Sequence, residues 1–323
     1  MSNLLDALNP SALEVFEETA QLQKRLRVKA HTLSNGARVL DCGVNEPGGL
    51  SAGVQLARIC LAGMAEVNVT SGDEQVWPGP WIQVATDFPV EACMLGQYAG
   101  WPVSSGEFFA MGSGPMRVKR GKEELLLSLG AKDSATMAVG TLECDTLVSD
   151  SVAQLMAAEC GVDTSQLYIA VAPTRSIAGC VQVVARSIET AMHKMHELKF
   201  DLSQIVSGYG IAPLCPPSPN MALGIGRTND AILYGGQVTL WVDTEDEQIV
   251  ELGPKVPSCS SEDFGRPFAE IFKEYDYDFY KVDPGLFSPA VVTLVNLRSG
   301  KSWRFGAVKP DLIAASFSTE VVQ

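Results

Sequence analysis

Histidine is nearly missing from this chain: only His31, His193 and His196 occur among 323 residues. A zinc site draws mainly on imidazole and thiolate, usually in closely spaced pairs. His193 and His196 can share a helix face, yet no His-Glu-x-x-His run accompanies them, so no metal centre is expected. Cysteine occurs at 42, 60, 93, 144, 160, 180, 215 and 259, but never as Cys-x-x-Cys. That absence removes the zinc-ribbon and thioredoxin signatures. The thiols read instead as small residues buried in a reducing compartment. Positive charge is also short, with 24 lysines and arginines against 38 acidic residues and a net charge of −14. No basic run exists to neutralise a phosphate backbone, so no nucleic-acid partner is expected. No uninterrupted apolar stretch reaches the roughly 18 residues of a membrane span. The first residues lack the basic-then-apolar order of a secretory signal. The expectation is a soluble, cytoplasmic protein with no membrane association.

What is present is the composition of a compact globule, 46% apolar and 19% charged, in a chain long enough for two domains. Leu13, Phe16, Ala20 and Leu22 suit an amphipathic helix opened by Asn9-Pro10-Ser11. Strand-like runs follow ("ARVLDCGV", "AEVNVT", "WIQVATD", "ATMAVGTLEC", "LYIAVAP"). They alternate with helix-like ones: "GLSAGVQLARICLAG", "PVEACMLGQYAGW" ending at Gly100, "KEELLLSLG", and "DSVAQLMAAECG" capped by Asp150 or Ser151 and stopped at Gly161. Such alternation predicts a mixed α/β fold with helices packed on sheet faces. After about residue 200 the texture changes. There "GYGIAPLCPPSPN" reads as a Pro-rich connection, "VTLWVDTED" as a strand, "RPFAEIFKEYDYDFY" as an aromatic-acidic helix, and "AVVTLVNLRSGKSWRFG" as a hairpin turned at Ser299-Gly300. The change divides the chain into a first α/β domain at about 1–200 and a second at about 201–323, with crossings between them allowed.

One segment poses a sharper question. Between Arg175 and Lys194 the only acidic or basic residues, His193 aside, are Arg186 and Glu189. The periodicity predicts a single helix capped by Thr174 and running to Leu198, some 24 residues and roughly 36 Å long. Ile177, Val181, Val184, Ile188, Met192 and Met195 form its apolar stripe, and Arg186, Glu189 and His193 fall together on the opposite face. Spacing alone favours an ordinary solvated pair worth a few tenths of a kcal/mol. The flanks argue otherwise: Gly179, Cys180, Gln182, Ala185, Ser187, Thr190 and Ala191 are small or uncharged. A polar but scarcely charged surface suits the lining of a cleft.

Two Gly-rich stretches, "FFAMGSGPMR" and "LGIGRTNDAILYGG", are further candidates for ligand contact. The N–H groups of Gly112, Ser113 and Gly114 could form an anion-binding nest. The third glycine of a dinucleotide fingerprint and the Gly-Lys-Ser/Thr of a P-loop are both absent. By themselves the glycines favour a tight structural turn as the reading of each stretch. Arg227, Thr228, Asn229 and Asp230 place four hydrogen-bonding side chains in a row, which suits a polyfunctional heterocycle.

Several stretches together resemble one family, the methenyltetrahydromethanopterin cyclohydrolases. They are "DCGVNEPGG", "QYAGW", "FFAMGSGP", "VAPTRSIAGCVQVVARSIETAMHK", "GRTNDAILYGG" and "FGRPFAEIFKEYDYDFYKVDPGLFSPA", in the family's order. The resemblance implies two α/β domains with the active-site pocket between them and a homotrimer. It also implies a pterin small-molecule substrate and no metal or prosthetic group. The activity it implies is addition of water to 5,10-methenyl-tetrahydromethanopterin, giving the 5-formyl pterin. The family's catalytic Arg-x-x-Glu falls on Arg186 and Glu189. In archaeal members a lysine of the active site directly precedes Ala-Gly-Trp; here that position is Tyr98, which aligns the chain with the bacterial branch.

The methenyl carbon shares a delocalised positive charge with two nitrogens and is already electrophilic. The enzyme has to place a water beside it and take a proton as the C–O bond forms. On this reading Glu189 is the general base, and Arg186 orients it and favours its ionised form. Gly112 to Gly114, Tyr98 and Arg227 to Asp230 are the candidates for holding the pterin and its tail. The rivals are the equivalent reaction on methenyl-tetrahydrofolate and a pterin-binding protein without turnover. The pairing of a base with an orienting cation disfavours the second.

Overall fold

The computed structural model describes residues 7–131 and 133–318. Twelve described strands run in chain order as β1 (Lys29–Thr32), β2 (Arg38–Asp41), β3 (Glu66–Thr70), β4 (Trp81–Thr86), β5 (Trp101–Ser105) and β6 (Phe108–Ser113), then β7 (Ala138–Glu143), β8 (Leu167–Ala172), β9 (Ile205–Pro213), β10 (Gln237–Val242), β11 (Val291–Asn296) and β12 (Ser302–Gly306). The principal helices are α1 (Leu8–Gln21), α2 (Leu50–Cys60), α3 (Met116–Arg120), α4 (Asp150–Cys160), α5 (Ile177–Val184), α6 (Ser187–Glu197), α7 (Met221–Gly235), α8 (Phe268–Glu274) and α9 (Pro310–Phe317). The mixed α/β class is as the alternation predicts.

The chain forms two compact units, but not as two consecutive halves. One takes the described residues up to Ala65 together with Glu91–Gln182; the other takes Glu66–Val90 and the residues from Val183 onward. The boundary expected near residue 200 is therefore replaced by three crossings. The reason lies in strand pairing. β4 finds its neighbour in β9, with Trp81 opposite Pro213 and Thr86 opposite Gly208, a long-range ladder that local patterning cannot reveal.

The first unit is built on the sheet β1-β2-β8-β7-β6-β5. Its central strands β2, β8 and β7 are parallel, flanked by antiparallel neighbours. Successive side chains on a strand face opposite ways, and this explains the two cores. Val39, Ile169 and Val171 pack with Val152, Ala153 and Met156 of α4. Their neighbours Leu40, Ala170 and Ala172 pack with Phe16 of α1 and Leu56 and Ile59 of α2. The turn after β2 is organised by one carboxylate. Asp41, fully buried, accepts from the N–H groups of Gly43, Val44, Asn45 and Glu46 at 2.8–3.2 Å. Asn9 does not cap α1 as expected. Its amide is buried, donating to the Pro115 carbonyl and accepting from Val139 N at 2.7 Å. Ser149, rather than Asp150 or Ser151, caps α4, accepting from Val152 N at 3.4 Å.

The run "PVEACMLGQYAGW" is a π-helix over Val90–Gln97, after which Trp101 opens β5. Its wide last turn exposes carbonyls, and the fully buried guanidinium of Arg117 collects those of Met94, Leu95 and Gly96 at 3.3–3.4 Å. Glu123 accepts from the Arg117 Nε and neutralises it.

The second unit is built on the sheet β12-β11-β10-β9-β4-β3. The hairpin expected near Ser299-Gly300 is present, with Val295 paired to Ser302. Two other expectations are corrected. "GYGIAP" belongs to β9, an interior strand, rather than to a connection. The aromatic-acidic helix stops at Glu274, and its aromatics instead gather with a later one: Phe268 lies 5.5 Å from Phe272, 5.9 Å from Phe279 and 5.6 Å from Phe287. Collecting these rings from separate turns hides more apolar surface than one short helix face can.

Candidate functional site

The expected helix over 174–198 is two helices. α5 begins at Ile177 and ends at Val184; α6 begins at Ser187. Ser176, not Thr174, supplies the cap for α5, its hydroxyl accepting from Gly179 N at 3.1 Å. Between the helices the backbone tightens, with Arg186 N donating to Val183 O at 3.0 Å and Arg186 at φ −86, ψ 8. The break places Glu189 in the first turn of a new helix instead of the middle of a long one. Unpaired N–H groups and the positive end of the helix dipole favour an anionic side chain there.

α6 sits close against β9. A Cβ added to Gly210 would lie 2.3 Å from Ser187 Oγ and 3.0 Å from Ile188 Cγ1, and one on Gly208 would lie 3.0 Å from Ile188 Cγ2. Glycine at these two positions is what lets the start of α6 reach the sheet. Further along α6, Lys194 Nζ donates to the Gly285 carbonyl at 2.9 Å. The start of α6 and the loop around Gly285 are thus both tied to named partners.

The charged pair is formed. Arg186 Nη1 stands 3.9 Å from Glu189 Oε2, with side chains only 6% and 7% exposed. A solvated surface bridge would leave at least one partner in water, so that reading is set aside. Energetics also argues against a purely structural purpose. Two such charges attract by about 4 kcal/mol at an effective dielectric of about 20. Removing each from water costs several kcal/mol. Net stabilisation is therefore near zero, and stability alone gives no reason to bury this pair.

The glycine nest is not formed as expected. Gly112 and Ser113 are strand residues of β6, with Gly112 opposite Trp101 and Leu142 and Ser113 opposite Thr141. The Gly114 N–H donates to the Gly96 carbonyl at 2.8 Å. Gly114 has φ +96, and a Cβ there would stand 2.9 Å from Gly140 Cα. Its glycine character serves strand packing. The Ser113 hydroxyl joins a buried cluster, 2.8 Å from Thr141 Oγ1 and 3.2 Å from Cys60 Sγ. Tyr98 follows the π-helix, half-buried, with the Arg117 guanidinium 4.9 Å from its ring centre, a cation–π contact.

Arg227 to Asp230 lie in α7 and bind this chain itself. Arg227 donates to the carbonyls of Pro217 and Ser316 at 2.9 and 3.2 Å. Thr228 and Asn229 return to the carbonyls of Gly224 and Ile225. Asp230, fully buried, accepts from Phe268 N at 2.8 Å and Ser316 Oγ at 2.6 Å. Arg227 and Asp230 thereby pin α9 onto α7, and Asp230 also ties in α8. Polar residues in a row read as ligand-binding, but on a helix with packed neighbours they satisfy buried backbone first. The Asp230 carboxylate, named above as a candidate for holding the pterin, is engaged by Phe268 N and Ser316 Oγ of its own chain.

A family profile described as Cyclohydrolase (MCH) matches residues 7–317. Among similar proteins named methenyltetrahydromethanopterin cyclohydrolase, that of Rhodopirellula baltica is 53% identical over 315 residues, covering 96% of this chain and 94% of the relative. The one from Methylobacillus flagellatus is 46% identical over 296 residues, covering 91% and 90%. That of Methanococcoides burtonii is 41% identical over 318 residues, covering 98% and 99%. The chain belongs to the methenyltetrahydromethanopterin cyclohydrolase family.

Within this cyclohydrolase chain every cysteine but Cys259 is buried. Burial pushes the thiols of Cys42, Cys144 and Cys160 up to about 12, so they stay neutral and act as packing groups. Among the described residues no group of three or more His, Cys, Asp or Glu is placed to hold a metal ion, and no helix is long and apolar enough to cross a membrane.

Sequence reasoning missed the Cys60, Ser113, Thr141 and Gln182 cluster, in which Gln182 Nε2 approaches Cys60 Sγ at 3.6 Å. Its members come from four separate elements, and no spacing announces them. A glutamine in the otherwise small and apolar "IAGCVQVV" is the one available signal.

The Asp230 staple has a consequence for pH. Burial raises its carboxyl from 3.8 to about 7. A folded-state pKa above the unfolded one contributes stability that is complete below pH about 4 and fades as pH rises through about 7. Asn can keep both hydrogen bonds without a charge. Asp230→Asn is therefore expected to match the parent only below pH about 4, to pull ahead as pH rises, and to unfold at a clearly higher temperature at pH 8. The gap should be a few kcal/mol, since each tenfold change in proton affinity is worth about 1.4 kcal/mol. Thermal unfolding followed across that range checks it.

Proposed function

We propose that this chain adds water to the methenyl bridge of 5,10-methenyl-tetrahydromethanopterin to give the 5-formyl product, with Glu189 as general base and Arg186 as the cation that orients it. The observation carrying this reading is the water-poor Arg186–Glu189 pair at the first turn of α6, in a chain of this family. The substrate carbon is cationic, so no Lewis acid is required to make it electrophilic. One water proton passes to the Glu189 carboxylate as the C–O bond forms, and the cationic amidine becomes a neutral carbinol. That proton is delivered to N10 as the C–N10 bond breaks. The second water proton leaves as the carbonyl forms, so each turnover releases one proton.

An arginine facing a cationic ring directly would oppose binding. The order in space is therefore ring, water, Glu189, Arg186, with the carboxylate between the two positive charges. Tyr98 offers an aromatic surface to the substrate. The same reading takes the working assembly to be a homotrimer in a cytoplasmic setting. It needs no metal or prosthetic group.

Loss of the methenyl chromophore on mixing purified protein with the substrate tests the activity. Conversion is expected at an unchanged rate after prior treatment with a chelator. A chromophore that persists at the uncatalysed rate would rule the activity out. Methenyl-tetrahydrofolate run in parallel separates the two pterin substrates.

A further inference from the structure

The proposed reaction yields one proton per turnover, and Glu189 is 7% exposed, so the base needs a route to discharge it. One face of α6 offers that route. Glu189, His193 and Glu197 are spaced four apart, which stacks them along one side of a helix with neighbouring Cβ atoms about 5–6 Å apart. Their exposure rises in order: Glu189 at 7%, His193 at 19% and Glu197 at 50%. The last step is in contact, with His193 Nε2 4.0 Å from Glu197 Oε1. The row leads from the buried carboxylate outward to water along a single helix.

We propose that His193 relays the product proton from Glu189 to Glu197 and on to solvent. This rests on Glu189 being the base. In each turnover the carbinol O–H bond breaks as the carbonyl forms, and Glu189, having given its first proton to N10, takes this second one. Glu189 then passes a proton to the neutral imidazole, and the imidazolium passes one to Glu197 or water. Every group returns to its starting state, with one proton released.

Imidazole is the one side chain that both accepts and gives up a proton readily near neutral pH. Burial lowers the affinity of His193 for its proton, opposed by Glu197 and reinforced by His196 and Lys194. The resting imidazole is therefore neutral and able to accept. Lys194 does not compete for the role, since its ammonium is held by the Gly285 carbonyl.

The test is turnover of His193→Gln as a function of buffer concentration, at fixed pH and ionic strength, using imidazole and phosphate as probes. The parent protein is expected to be indifferent to buffer. His193→Gln should fall by roughly tenfold in dilute buffer, short of the about 100-fold minimum for loss of the base itself, and should recover as buffer rises. Glu197→Gln, altered in an exposed turn, should show the same pattern with a smaller loss and carries the test alone if the first variant does not fold. Full turnover of both variants in dilute buffer would overturn the relay, and so would a slow rate that buffer does not restore. Glu189→Gln run alongside separates the two ideas. If it stays slow at every buffer concentration the base stands, whatever the relay variants do; if it turns over normally, the base itself is misassigned.

Discussion

Glu189→Gln is expected to lower turnover by about 100- to 10,000-fold, the usual contribution of a positioned general base, with substrate binding largely kept. The amide is nearly the same size and shape, so α6 has no steric reason to move from Gly208 and Gly210. It cannot take a proton, so water attack on the cationic carbon proceeds at its unassisted rate. Charge sharpens the expectation for binding. The ring is positive and Arg186 is positive, so a neutral residue between them removes a screen. A modest rise in KM should accompany the large fall in kcat. Single-turnover decay of the methenyl chromophore separates the two. A variant retaining near-parent kcat would remove Glu189 from the base role.

Arg186→Met should produce the second large effect, on stability as well as on rate. Methionine fills much of the same volume, but the Glu189 carboxylate, 7% exposed, is left in a water-poor site without its counter-charge. Breaking a buried pair from one side typically costs about 3–5 kcal/mol. The carboxylate can relieve this cost by keeping its proton, which disables it as a base. The acid limb of the pH–rate profile is therefore expected to move to higher pH, with activity partly recovered in alkaline buffer. Adding Glu189→Gln to Arg186→Met removes the unpaired charge and should return much of the lost stability without returning activity. A double-mutant cycle in denaturant measures that coupling. Additive losses would mean that the two side chains do not act as a pair.

The legible and illegible parts of this molecule differ in the range of the interactions behind them. The runs that form β2, β4, β7, β8 and β10 carry period-2 or continuous apolar patterns, which strands of half-buried or fully buried sheets require. β6 reads as a Gly-rich turn because Gly112 leaves room for Met116 of α3, while Gly114, just past the strand, packs on Gly140 of β7. β9 is hidden by its Gly and Pro content. Gly208 and Gly210 answer to a helix lying across them, and Pro213 stands at the strand's end. Arg227 to Asp230 show the opposite error, since polarity that suggests a ligand is consumed by α8, α9 and backbone carbonyls.

The sequence by itself determined the α/β class, the net negative charge, the family, and the juxtaposition of Arg186 with Glu189. The last follows because residues three apart on a helix are neighbours whatever surrounds them. Tertiary structure decided what that pair experiences. It broke the long helix at Arg186, set Glu189 in a first turn, closed water off from both side chains, and drew the start of α6 onto two glycines of β9. Burial and the electrostatic environment depend on which distant segments arrive at a place, and that information is spread over the whole chain rather than written beside the residues it governs.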